Sequence, residues 1–360
     1  MRTVVIKENE AGQRMDKFLA KYLCLAPKSF LYKMMRKKNI TLNGKRCEGA
    51  QKLVVGDVVQ LFLAEETIEK FSRLAGETAG GFSCLAGETA GEFSRLAEGT
   101  EGGGKVNSRT AGGHGQRKRG RLDIVYEDEH ILLVNKPSGL LSQKAKPGDV
   151  SLVEEILAYL LETGQVTEET LRTFRPSVCN RLDRNTSGLV IAGKSLAGLQ
   201  RMAEGLKDRS IHKSYQCIVR GRVEERQRIS GFLKKDERTN QVVVYGSRQE
   251  GSVPIVTEYI PQMGNERYTL LEVKLITGRT HQIRAHLASI GHPIAGDYKY
   301  GDRAVNQEMK EKYRVQSQLL HAWKLEFPEL GAPLEKVSKR VFTAPLPPEF
   351  LRVEKGESFA

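Results

Sequence analysis

Paired cysteines, metal-binding histidine spacings and long apolar runs are all missing from this chain. The five cysteines (Cys24, Cys47, Cys84, Cys179 and Cys217) form no CxxC pair. Neither a zinc ribbon nor a disulfide frame is predicted, and an odd count in a long chain reads as free thiols in a reducing compartment. His281 and His286 stand five residues apart, one off the helical spacing of a metal pair, so no metal is expected. No GxSxG signals a serine hydrolase, and no segment suggests a nucleotide cofactor. The N-terminus "MRTVVIKENEAGQR" has no apolar signal core and no stretch approaches a membrane span, so the expectation is a cytoplasmic, monomeric protein without a membrane partner.

What the chain does have is positive charge, and the charge is clustered. Of the net +13 over 360 residues, a net +7 lies in residues 1–65, where thirteen Lys and Arg face six Asp and Glu. Such an excess raises the expectation of a polyanionic partner. "RMDKFLAKYL" spaces Met15, Phe18, Leu19, Tyr22 and Leu23 at helical intervals, and "PKSFLYKMMRKKN" predicts a second helix from near Pro27. A strand, "ITLNGKRC", leads into an Asn43-Gly44 turn, and "DVVQLFLAE" supplies another. Lys33, Arg36, Lys37 and Lys38 lead directly to that hairpin, as a phosphate-tracking surface requires. A merely solvated helix face is the competing reading.

Residues 66–121 break the pattern. Eleven-residue units "FSRLAGETAGG", "FSCLAGETAGE" and "FSRLAEGTEGG" begin at Phe71, Phe82 and Phe93, and the basic run "GGHGQRKRGR" follows. Each glycine costs a helix about 1 kcal/mol, so the stretch reads as a Gly-rich flexible linker rather than a rod or solenoid. Residues 122–355 then read as one α+β body with a mixed, mainly antiparallel sheet. "DIVY", "HILLVNK", "GLVIAGKS", "IHKSYQCIVRG" and "YTLLEVKLITG" are its predicted strands. "SLVEEILAYLLE", "SLAGLQRMAEGLKD" and "RTHQIRAHLASIG" are its predicted helices, the last entered straight from Gly278.

Three segments of that body could carry chemistry. "CNRLDRNTSGL" sets Asp183 between Arg181 and Arg184 in a loop that feeds an apolar strand. Alternation along "IHKSYQCIVRG" puts Lys213 and Tyr215 on one face, with Ser214 opposite. In "LITGRTHQIRAHL", Arg279 stands at a strand-to-helix junction and Arg284 five residues later. Taken singly, each has a structural reading: a turn-capping carboxylate, a core tyrosine, a salt-bridging arginine.

Together the segments resemble the RluA-type pseudouridine synthases. "NRLDRNTSGL" is similar to that family's active-site motif HRLDRDTSGL, with Asn180 and Asn185 where His and Asp are usual. The resemblance continues in "YEDEHILLVNKPSGL", "KSYQCIVRG", "LITGRTHQIRAHLASIGHPIAGDYKYG" and "LLHAWKLEFP", over residues 122–350. Residues 1–65 resemble the small S-four-like RNA-binding domain through Arg14, Asp16, Lys17, Phe18, Leu19, Asn43-Gly44 and Gly56-Asp57.

The resemblance implies an isomerase that breaks the N-glycosidic bond of a uridine in RNA, turns the base and rejoins it through carbon, with no cofactor. It assigns Asp183 as the catalytic carboxylate, Arg279 as the cation that keeps it ionised, and Tyr215 as the ring against the uracil, with a part in the final proton removal. Base flipping would place Arg181 in the vacated stack. From their charge, Lys213, Lys136 and Arg284 would hold phosphates or brace the site, and Arg14, Lys17, Arg36, Lys37 and Lys38 would grip RNA. Structured RNA is therefore the expected partner, ribosomal RNA of the large subunit ahead of transfer RNA. A catalytically silent assembly factor is the alternative from another class.

Overall fold

Apolar runs in the second half of the chain are nearly unbroken, which suits strands covered on both faces rather than one. The computed structural model describes residues 1–72, 122–146, 148–236, 239 and 241–359. The eleven-residue repeats from Arg73 onward, the basic run after them and Cys84 lie outside the described residues. Two units divide the contacts. The first holds the N-terminal residues with Ala145–Asp149 and Thr167–Phe174, and the second holds Leu122–Lys144, Val150–Val166 and the chain from Arg175 onward.

In the first unit, β1 (Arg2–Val5) precedes the helices α1 (Met15–Tyr22) and α2 (Lys28–Arg36), the strands β2 (Ile40–Leu42), β3 (Lys45–Arg46) and β4 (Val58–Leu61), and α3 (Glu65–Ser72). The strands form a four-stranded sheet in the order β1-β4-β2-β3. Met15, Phe18, Leu19 and Tyr22 bury one stripe of α1, and Leu31, Met34 and Met35 one stripe of α2, as their helical spacing requires. The helix α3 extends this body into residues assigned from sequence to the linker, because Ile68 reaches the same core.

In the second unit, β5 (Ile124–Glu127) and β6 (Ile131–Lys136) are followed by α4 (Leu152–Glu162). After α5 (Glu168–Leu171), which belongs to the first unit, come β7 (Ser177–Val178), β8 (Ser187–Gly193), α6 (Leu196–Lys207), β9 (His212–Arg220), β10 (Gln227–Asp236), β11 (Gln241–Tyr245), β12 (Val253–Gly264) and β13 (Tyr268–Leu275). The chain ends through α7 (Gln282–Ser289), α8 (Arg303–Tyr313), β14 (Leu320–Glu326), β15 (Val341–Thr343) and α9 (Pro348–Gly356). Eleven strands make one sheet, β11-β10-β12-β13-β9-β14-β8-β6-β5, with β15 beside β14 and β7 beside β8. Its pairings are antiparallel except β14 with β8. The architecture is the mixed, mainly antiparallel α+β arrangement expected from sequence.

Alternation along the central strands explains the long apolar runs. Leu132, Val134, Val190 and Ala192 enter one core with Tyr215, Val273 and Ile283, while Ile131, Leu133, Leu189 and Ile191 enter another on the opposite face. Every residue of β8 is buried. That strand therefore starts from a fixed place, and the loop before it carries Asp183.

Gly188 sets how closely β8 and β14 approach. Its φ is +112°, and a Cβ there would lie 2.2 Å from the carbonyl oxygen of Ala322. Backbone cannot yield as a flexible side chain can, so only glycine fits. Gly188→Ala is expected to destabilise the protein by about 1–3 kcal/mol or more in urea unfolding. Gly246→Ala, with nothing within 4 Å, should stay within about 0.5 kcal/mol of the parent. Equal midpoints for the two variants would show that this close approach is not a constraint.

Candidate active site

Asp183 sits in the turn between Asn180 and β8, and both flanks of that turn are tied down. The Thr186 N–H donates to the Asp183 carbonyl at 3.0 Å. Ser142 clasps Leu182, its hydroxyl donating to the carbonyl at 2.9 Å and accepting from the N–H at 3.0 Å. Asn180 is buried, accepts from the Ile191 N–H at 2.8 Å and donates to the Leu189 carbonyl at 3.3 Å. This position, where the family motif usually has His, thus braces the loop against β8. Asn185 is exposed, and its carbonyl accepts from the Ser138 hydroxyl.

Lys136 is the strongest clamp. It is fully buried at the end of β6, and its ammonium donates to the carbonyls of Pro137, Leu140 and Arg184 at 3.0, 2.8 and 3.1 Å. Three oriented carbonyl dipoles hold a charge that burial alone would make costly. Of the two roles drawn from its charge, the phosphate contact gives way to bracing, because the side chain does not reach the surface.

The guanidinium on Asp183 is that of Arg284. Its Nη1 donates to Oδ2 at 2.9 Å, while its Nε and Nη2 form a bidentate pair with Asp297 at 2.7 and 2.9 Å. The pairing of Asp183 with Arg279 expected from sequence is therefore corrected. Arg279 lies exposed in the turn before α7, with its backbone N–H on Gln282. Gln282 through Leu287 are all buried, which carries Arg284 into the interior beneath the Asp183 loop. A guanidinium so buried demands partners, and α7 offers none of its own.

The rest of the arrangement fixes that guanidinium. Burial raises the Asp297 pKa, but Arg284 and the backbone N–H groups of Lys299 and Tyr300 outweigh it and hold the carboxyl below its ordinary range. The Tyr300 ring lies 5.1 Å from the guanidinium carbon of Arg284. Gln282 pins the start of α7, its amide donating to the Val256 carbonyl and the Thr257 hydroxyl. His281 Nε2 stands 3.7 Å from Asp183 Oδ2. Asp183 Oδ1 has no hydrogen-bond partner among the described residues, and the side chain keeps 26% of its exposure. One carboxylate oxygen is gripped, and the other has no hydrogen bond among the described residues.

Tyr215 lies on β9 within the core beneath this site, paired across the sheet with Val273 and Ala322. Burial, and then the charge of Asp183, push its phenol well above the ordinary value. The phenol is therefore held in its protonated form at neutral pH. Lys213 is half-buried on the same strand, its pKa lowered by burial, with no carboxylate in ion-pair contact among the described residues. Arg181 is exposed at the edge of the loop.

In the first unit Arg36, Lys37 and Lys38 are exposed with Lys33 at the end of α2. Arg14 is half exposed but committed to Asp16, at 2.8 and 3.1 Å, and the Tyr32 hydroxyl donates to the same carboxylate. Lys17 is exposed on α1. Asn43 and Asp57 lock the hairpin turn through their side chains at 2.7 Å. The pairing role of Arg284 and those of Asp297, Gln282 and His281 were missed in the sequence. One signal was available: an arginine flanked by Ile283, Ala285 and Leu287 in a helix is placed for burial and must be paired.

A family model described as RNA pseudouridylate synthase matches residues 130–289. The chain is similar to ribosomal large subunit pseudouridine synthase C of Salmonella typhi, 32% identical over 363 aligned positions covering 94% of this chain and 95% of the relative. The protein of that name from Escherichia coli K12 is 31% identical over 367 positions, covering 94% and 95%. Among solved structures, human RNA pseudouridylate synthase domain containing 4 matches with a TM-score of 0.53 at 20% identity, covering 66% of this chain and 93% of that one. At that identity the likeness speaks for the fold.

Removing Arg284 would leave Asp297, which has no solvent exposure, as an uncompensated buried charge. Arg284→Gln is expected to cost about 3–5 kcal/mol in urea unfolding, and Arg279→Gln no more than about 0.5 kcal/mol. The folded pKa of Asp297 is lowered, so its stabilisation is present above the ordinary carboxylate range and fades as pH falls through it. Arg284→Gln should flatten that acid dependence. An Arg279→Gln variant as unstable as Arg284→Gln would contradict the assignment.

Proposed function

The chain belongs to the RluA-type family of RNA pseudouridine synthases, and on that footing we propose that it isomerises specific uridines of large-subunit ribosomal RNA, with Asp183 as the reacting carboxylate. The observation that carries this reading is the half-gripped carboxylate. Arg284 takes Oδ2, Oδ1 has no hydrogen-bond partner among the described residues, and Tyr215 lies in the apolar core close enough to feel the charge of Asp183. The large-subunit RNA follows the names of relatives that match along nearly their whole length.

The isomerisation needs no oxidant, because the proton that C5 loses is balanced by the one that the freed N1 takes up. It needs a carboxylate that stays ionised beside a flipped nucleotide, to attack or deprotonate the sugar. Arg284 supplies the opposite charge at a fixed distance, and Asp297 keeps Arg284 from swinging toward phosphate. The buried Tyr215 supplies a flat ring for the uracil once the base has left its stack, an extrusion worth a few kcal/mol. Arg181, exposed beside the loop, is placed to fill the gap in the RNA by planar stacking. Lys213 adds a cation near the same strand. Arg279, exposed in the turn before α7, serves as a phosphate contact rather than as the partner of Asp183. In the first unit, Arg36, Lys37 and Lys38 form the RNA-gripping surface of an S-four-like domain, with Lys17 beside them on α1 and Arg14 chiefly holding Asp16.

Two expected outcomes test this reading. Unmodified ribosomal and transfer RNA, treated with wild type and with Asp183→Asn, are mapped by carbodiimide-dependent primer-extension stops. New stops in ribosomal RNA with wild type alone are expected. Stops confined to transfer RNA would reassign the substrate, and RNA binding by both proteins with no stops would make the protein an assembly factor. Replacing Arg36, Lys37 and Lys38 together by Gln should weaken RNA binding and reduce its dependence on salt, by a slope of up to about 2–3 in log–log form. An unchanged slope would remove RNA contact from that surface.

A further inference from the structure

His281 was set aside in the sequence as a metal ligand, and the family reading gives it no task. The structure places it at the hinge of the site. It is the residue before α7, held at φ 57° in the left-handed region that few non-glycine residues adopt. That conformation turns its ring between Tyr300 and Asp183, with Nδ1 2.9 Å from the Tyr300 hydroxyl and Nε2 3.7 Å from Asp183 Oδ2.

Hydrogen-bond accounting favours one tautomer. The Val242 backbone N–H donates to the Tyr300 hydroxyl oxygen at 2.9 Å. One acceptor position of that oxygen is therefore engaged, and its own hydrogen is satisfied if it points at His281. Nδ1 then accepts and Nε2 carries the proton, directed at the carboxylate. The opposite tautomer would strand the Tyr300 hydrogen and aim a lone pair at an anion. Burial raises the Tyr300 phenol, which keeps that hydrogen in place. Burial also lowers the His281 pKa. The carboxylates of Asp183 and Asp297 oppose this, and the cations of Arg284 and Lys299 reinforce it.

We propose that His281 is a positioning residue for the reaction: a neutral imidazole, locked by Tyr300 as the Nε2–H tautomer, that presents its N–H to the oxygen Arg284 already grips and so leaves Oδ1 of Asp183 as the reacting atom. At 3.7 Å the contact is longer than a hydrogen bond, as such contacts commonly are before substrate binds, and it shortens when the carboxylate engages the ribose. The inference rests on the proposed function, because it concerns how Asp183 is aimed for that chemistry.

Tyr300→Phe removes the lock while keeping the ring against Arg284, though it also takes the acceptor from the Val242 N–H. His281→Gln keeps a side-chain N–H donor and an acceptor, whereas His281→Ala removes both. With RNA in excess, His281→Ala is expected to lower kcat about 10- to 100-fold, the scale of one hydrogen bond to a charged group, with KM little changed. His281→Gln should restore most of the loss, and Tyr300→Phe should fall between. Nitrogen-15 NMR of histidine-labelled full-length protein, assigned with His281→Gln, should show a protonated Nε2 and an unprotonated Nδ1 in wild type. In Asp183→Asn the Nε2 resonance should move.

A wild-type spectrum with Nδ1 protonated would overturn the proposal. So would kcat unchanged in His281→Ala, or a His281→Gln variant as impaired as His281→Ala. The spectrum needs no turnover. Should wild type form no pseudouridine, the functional reading fails on its own, and a protonated Nδ1 or an Nε2 resonance indifferent to Asp183→Asn still overturns the positioning.

Discussion

A guanidinium shared unequally between two carboxylates organises this protein. Arg284 gives its two-pronged edge to Asp297 and a single N–H to Asp183. The bidentate side is the anchor, since Asp297 is sealed from solvent and further held by two backbone N–H groups. The single-pronged side, on Asp183, is the end to which we assign the chemistry. A carboxylate tied at both oxygens would be well paired and inert, and one tied at neither would be free to rotate. Buried ion pairs add little net stability over apolar packing, so the arrangement is better understood as a device for direction and charge than as a fold stabiliser.

Direction also requires that the loop under Asp183 not move. Lys136 gathers carbonyls from both sides of the site, Ser142 pinches Leu182, and Asn180 joins the loop to β8. On the opposing wall, Gln282 holds α7 against β12. His321 is fully buried, with Nδ1 2.8 Å from the Ser187 hydroxyl, which ties β14 to the strand that follows the loop. Several polar groups thus fix the loop around Asp183, each held by a named partner. Such networks rigidify a site when complete. Rigidity suits a reaction in which a base leaves, turns and returns within one pocket.

Much of this was legible in the sequence. Strong periodicity placed α1, α2, α4 and α6, and apolar runs placed β6, β8, β9 and β13, because local pattern and burial agree there. Asp183 and Tyr215 stood out through the order of several segments. What did not show was pairing. Arg279 and Arg284 differ only in which side of a helix start they occupy, and His281 takes a left-handed backbone that shifts that start to Gln282. The sequence reading carried the helix straight on from Gly278, which left the outer arginine as the apparent partner. The strands β10, β11 and β12 were also passed over, since several of their residues are charged and exposed. For Lys136 the sequence left two roles open, phosphate contact or bracing, because no residue-type pattern announces that its ammonium is satisfied by the carbonyls of Pro137, Leu140 and Arg184.

The most direct measurement is tritium release from ribosomal RNA labelled at C5 of uridine, since rejoining the base through that carbon expels its hydrogen. At saturating RNA, wild type and Arg279→Gln should release tritium at comparable rates, while Arg284→Lys, which keeps the charge but loses the fork that holds Asp297 and Asp183 together, should be severely slowed. Comparable rates for Arg284→Lys and wild type, or an inactive Arg279→Gln that still binds RNA, would contradict the account.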